Sequence, residues 1–123
     1  MQKLLVAMLV LAGLVHLLPL PGVLGADTLA ALYGTPVAER NLAILMPHRA
    51  ILFGILGMLL LAAARDPVLR TAAIPAGLVS TVSFLILAWE DGGYNAQLAR
   101  VVWVDVVVVA CLLVAGVLHL RLR

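Results

Sequence analysis

The sequence predicts an all-α integral membrane protein: a four-helix bundle with one short interfacial helix between the first two spans. Three observations predict it. Of 123 residues, 65% are hydrophobic and 11% charged, against about 45–50% apolar and about 25% charged in soluble domains. Mean hydropathy is +1.20. The apolar residues also gather into four stretches, each long enough at about 1.5 Å per residue to approach the depth of a hydrocarbon core of about 30 Å. A chain this short forms one domain. Its composition excludes an ordinary soluble enzyme, a nucleic-acid module and a disordered chain.

The first span is expected from Leu4 to Leu18, or over 4–24 if the helix bends through Pro19 and Pro21. Lys3, the apolar run and Val23-Leu24-Gly25-Ala26 share the outline of a secretion signal, but the run reads as a retained first helix. A short surface helix is expected over 27–34, with Asp27 as N-cap, Gly34 as its stop and Tyr33 at the lipid–water interface. The second span covers 42–64 and is interrupted by Pro47, His48 and Arg49. Arg65-Asp66-Pro67 marks a turn before a third span at 71–89. Glu90-Asp91-Gly92-Gly93 ends that span, and Gly92-Gly93-Tyr94-Asn95 reads as a tight reversal. The fourth span, 101–120, is rich in valine and carries Asp105. Its length favours helix over a buried strand.

The basic residues predict orientation, because loops rich in Lys and Arg stay in the cytoplasm. Lys3, Arg65, Arg70, Arg121 and Arg123 fall on one side, and Arg40, Arg49 and Arg100 on the other. Both termini are therefore expected in the cytoplasm. The net charge of +2 is scattered as single residues, so no phosphate-tracking patch forms and no nucleic-acid partner is expected. The lone Cys111, set among valines and leucines, reads as a small buried hydrophobe.

Ionisable groups within a bilayer are costly and usually face a bundle interior. His16, Arg49, Ser83 and Asp105 all fall in the outer third of their spans, and Glu90 caps the third span on that side. With His48 and Asn95 they form the candidate ligand-binding set. Arg49 and Asp105 have two readings: a structural latch tying the second helix to the fourth, or the floor of a ligand site. His16 and His48 lack the spacing of a metal or haem pair, so no metal and no cofactor are expected. Ser80, Ser83, Leu87 and Glu90 share one helical stripe; alternatively Ser80, Thr81 and Ser83 bond back to their own helix. Small residues four apart, Ala50 with Gly54 and Ala73 with Gly77, permit close helix contact and leave oligomeric state open. Trp89, Tyr94 and Trp103 read as interfacial anchors. No Gly-rich phosphate loop, Cys-x-x-Cys or Gly-x-Ser-x-Gly is present, and no catalytic residue is assigned.

The segments MPHRAILFGILGMLLLAAA, AGLVSTVSFLILAW and GGYNAQLARVVWVD resemble those of small bacterial four-helix membrane proteins, broadly DoxX-like. The resemblance covers nearly the whole chain. It implies a bacterial inner-membrane location and an association with respiratory-chain or sulfur-redox complexes. His48, Arg49, Asn95 and Asp105 are the residues that match the group's pattern. Members sometimes carry the label phosphopantetheine adenylyltransferase, which implies a soluble enzyme with a His-x-Gly-His signature. Here His48 is followed by Arg49-Ala50-Ile51, so that activity is not carried over.

The leading expectation is a non-enzymatic membrane protein binding a small amphiphile or lipid-like molecule in an outer-leaflet polar pocket. The first alternative is an accessory or assembly subunit of a larger, respiratory-type membrane complex. The second is a membrane-embedded isomerase, with Asp105 or Glu90 as proton donor beside His16 or His48.

Overall fold

Four helices follow one another in a computed structural model that describes residues 1–21, 31, 34 and 40–123. They are α1 (Gln2–Leu17), α2 (Arg40–Arg65), α3 (Pro67–Asp91) and α4 (Ala96–Leu122). Among the described residues there is no strand. Helices α2, α3 and α4 have 26, 25 and 27 residues and are each long and apolar enough to cross a membrane. Helix α1 has 16 residues, a rise of about 24 Å.

The first helix ends at the nearer of its two expected limits, about Leu18, and does not run on as one α-helix through Pro19 to Leu24. Pro19 has no N–H to continue the ladder, and its ring disfavours helical geometry at the preceding residue. The α-helix therefore ends at Leu17, and Leu18 N–H bonds instead to the carbonyl of Val15 at 3.1 Å. Apart from Ala31 and Gly34, the surface helix expected over 27–34 lies outside the described residues. The other three helices exceed their expected bounds, and in α3 and α4 a polar side chain caps the earlier start. Asp66 accepts a bond from Val68 N–H at 2.9 Å, with Pro67 in the first helical position, so α3 starts four residues before Thr71. Asn95 accepts from Leu98 N–H at 2.9 Å and starts α4 five residues before Val101. Gly92 closes α3 with φ 70, a left-handed geometry that glycine adopts without a Cβ penalty. Pro47 sits within α2, which continues through it.

The helices run alternately up and down, and each packs against its sequence neighbours, with α4 returning to α1. Both termini and the α2–α3 turn thus share one end. That half of the bundle holds the core: Leu5, Leu9, Leu60, Ala63, Ala73, Leu112 and Ala115 are completely buried. The small residues Ala50, Gly54, Ala73 and Gly77 are all buried at helix contacts, as their spacing predicts. The tightest crossing lies between Gly13 and Gly57. A Cβ on Gly57 would stand 2.8 Å from the Gly13 carbonyl oxygen, so the backbones of α1 and α2 nearly touch there.

Arg70 closes the terminal-bearing end. It is 3% exposed, and its Nε donates to the Ala63 carbonyl at 2.9 Å while Nη2 donates to the Ala64 carbonyl at 3.2 Å. A guanidinium thus satisfies carbonyls that α2 leaves open at its C-terminus, where positive charge is also favoured. The large side chains of Trp89 and Trp103 stand on the outer surface.

Candidate functional site

At the opposite end the bundle opens. Helix α1 stops at Leu17, while α2 and α4 continue past it, so beyond this level α1 no longer packs between them. A partly open cavity of about 350 Å³ fills the gap, within the range of small-ligand pockets. Helix α1 contributes Val15 and His16; α2 contributes Arg49 and Phe53; α4 contributes Gln97, Arg100, Val104 and Asp105. Ala31, from the α1–α2 connection, lies at its edge.

Arg49 and Asp105 each lie nine residues after the start of their helix, Arg40 and Ala96 respectively. Because α2 and α4 both enter from this end, the two charges reach the same depth, roughly 13 Å along the helix. Arg49 is the cation that acts on Asp105 electrostatically. Its guanidinium carbon lies 4.4 Å from the centre of the Phe53 ring and 5.7 Å from that of Phe84. A cation above an aromatic face gains about 0.5–2 kcal/mol, more when water is excluded. The i, i+4 spacing of Arg49 and Phe53 sets this stack within one helix.

Phe53 also meets His16, with ring centroids 5.8 Å apart and planes tilted by 53°. His16 is 3% exposed. Its Nδ1 stands 2.8 Å from the Ala12 carbonyl oxygen. A carbonyl can only accept, so Nδ1 carries the proton, and the neutral ring presents Nε2 as a bare acceptor. Nε2 is buried and has no hydrogen-bond partner among the described residues. An unsatisfied buried acceptor costs about 1–3 kcal/mol.

The expected polar set divides. His16, Arg49 and Asp105 line the cavity together. Ser83 does not: it lines a more open recess of about 290 Å³ between α2 and α3, where Arg49, Phe53, Ser80, Phe84 and Leu87 also contribute. Its hydroxyl bonds back to the Ser80 carbonyl at 3.0 Å, and Thr81 bonds likewise to the Gly77 carbonyl at 2.9 Å. Glu90 is exposed in the last turn of α3 and lines neither space. His48 precedes Arg49 by one residue, a rotation of about 100° that carries it to the exposed side of α2. Asn95 is engaged as the N-cap of α4.

Phe53, Gln97 and Arg100 belong to the cavity without having been singled out in the sequence. Phe53 was signalled by its i, i+4 relation to Arg49. Gln97 and Arg100 become helical only once Asn95 is recognised as a cap. Among the described residues no three His, Cys, Asp or Glu side chains converge on a point that would hold a metal ion. No family model matches the chain, and neither a curated protein nor a solved structure does.

Proposed function

We propose that this chain is a multi-pass protein of a bacterial cytoplasmic membrane that binds a small amphiphilic or lipid-like ligand in the cavity above α1. The observation that carries the reading is a ligand-sized cavity in which His16, Arg49, Gln97, Arg100 and Asp105 interrupt otherwise apolar walls. Such a mixture suits an amphiphile: the charged groups orient a polar head, while the valines and Phe53 accept hydrocarbon. Arg49 engages an anionic or carbonyl oxygen of the head, and Asp105 holds the guanidinium in place. The DoxX-like resemblance and the excess of Lys and Arg on the terminal-bearing side support the inner-membrane assignment, with both termini in the cytoplasm.

The test is native mass spectrometry of the protein extracted gently from its own membrane. A discrete small-molecule adduct is expected on the wild type and absent from Arg49→Ala, while both insert equally. An adduct of equal occupancy on Arg49→Ala would overturn the reading. Release with other polypeptides, and with no adduct, would instead make Arg49 and Asp105 a latch within a subunit of a larger complex.

A further inference from the structure

The cavity and the recess between α2 and α3 share two lining side chains, Arg49 and Phe53. This pair therefore stands between the two spaces. The Arg49 guanidinium carbon lies 4.4 Å from the centre of the Phe53 ring and 5.7 Å from that of Phe84, which draws α3 into the same stack. On the far side of the pair the recess is walled by Leu52 and Leu56 from α2 and by Ser80, Ser83, Phe84 and Leu87 from α3. Leu52 is 52% exposed and Leu87 65%, so the recess opens outwards between the two helices.

Depth decides what such an opening meets. Helix α2 starts at Arg40, so Arg49 and Leu56 lie nine and sixteen residues along it, roughly 13 and 24 Å into a helix long enough to cross the membrane. An outward groove at that level faces acyl chains and not water. Its walls also suit a chain: three leucines and two phenylalanines line it, and the Ser83 hydroxyl is already bonded to the Ser80 carbonyl. Polar side chains gather instead on the cavity side, where Gln97, Arg100 and Asp105 join Arg49. We propose that the site opens sideways to the bilayer through this recess. An amphiphile with a carboxylate or carbonyl head keeps that head beside Arg49 in the cavity and lays one long hydrocarbon chain past Phe53 into the groove between α2 and α3. The proposal rests on the cavity being a ligand site and adds the path of the chain and the source of the ligand, which is the bilayer itself.

Tritiated octanoate and hexadecanoate provide the test, because they share a carboxylate head and differ by methylene groups alone. Octanoate is short enough to be held within the cavity. Binding of each is read at equilibrium by scintillation proximity on the detergent-solubilised full chain, with every variant in the same micelles. Ser83→Trp fills the recess without touching the cavity, since Ser83 lines only the former. It should weaken hexadecanoate about tenfold or more through the lost chain contacts and leave octanoate unchanged. Ser83→Ala removes a hydroxyl that serves its own helix and should bind both acids as the wild type does. Val104→Trp fills the cavity alone and should weaken both acids.

The outcomes separate the path of the chain from the site itself. Binding of neither acid to the wild type overturns the ligand site, and the path falls with it. Hexadecanoate binding that survives Ser83→Trp, while Val104→Trp weakens both acids, leaves the cavity standing and overturns the recess: the chain then leaves by the cavity's own mouth. Equal weakening of the two acids by Ser83→Trp overturns the division between head and chain. A loss in Ser83→Ala as large as that in Ser83→Trp overturns the role of free space in favour of the hydroxyl. Should Ser83→Trp fail to fold, Ser83→Leu occupies the same groove with a side chain at home in lipid, and a several-fold loss confined to hexadecanoate decides the question in the same way.

Discussion

The two halves of this bundle are built from the same four helices and nearly the same aliphatic residues, yet one is sealed and the other is hollow. In the terminal-bearing half, all four helices are present at every level, and Leu5, Leu60 and Leu112 are wholly buried. In the other half α1 has ended at Leu17, and Val101, Val104 and Asp105 line a cavity. The difference follows from where α1 ends, two residues before Pro19, whose ring cannot continue the hydrogen-bond ladder. A helix shortened by about two turns leaves a space about as wide as the helix itself. Polar side chains that would be costly within a packed core are tolerated at the wall of such a space.

The largest break in this contrast should come from Gly57→Leu. A side chain there meets the backbone carbonyl of Gly13 as well as Leu17, so α1 must move bodily away from α2. We expect a loss of about 3 kcal/mol or more, measured as a fall in the unfolding midpoint in mixed micelles. A Gly57→Leu protein of unchanged stability would mean that the crossing is not close-packed. Next in size is Leu112→Ala in the sealed half, expected to cost about 2–3 kcal/mol through lost contacts and the void left behind. Val104→Ala in the hollow half should cost less than about 0.5 kcal/mol, because Val104 borders a cavity already present. Equal losses for the two truncations would show that the cavity is closed by chain outside the described residues. The smallest effect is expected for Thr81→Val, within about 0.5 kcal/mol in the same assay, since the Thr81 hydroxyl bonds only to carbonyls of its own helix. A loss above 1 kcal/mol would assign Thr81 a contact between helices.

These contrasts also explain which parts of the architecture were legible in the residues. Four apolar runs separated by Arg-Asp-Pro and Gly-Gly turns determine the order and number of helices. The hydrophobic effect acts on whole runs, so runs are what a sequence displays. The helix ends were harder to read, because capping depends on one side chain reaching one N–H, as Asp66 and Asn95 do here. The coming together of His16, Arg49 and Asp105 followed from counting residues along each helix. Depth is common to every face of a helix, however, while lining a cavity requires the correct face as well. His48 and Glu90 had suitable depth and the wrong direction. Arg70 shows the reverse case: counted as one more charge at a turn, it is among the most buried polar residues, because the carbonyls it caps belong to the preceding helix.

That last contact bears on how the protein is made. Helix α2 ends at Arg65 and α3 starts at Pro67, so a single residue separates them. Until α3 emerges, the Ala63 and Ala64 carbonyls lack the guanidinium that closes them, and Arg70 carries its charge without those acceptors. Each helix therefore completes the other. Membrane insertion of α2 and α3 together, as one hairpin, would satisfy the guanidinium and both carbonyls at once.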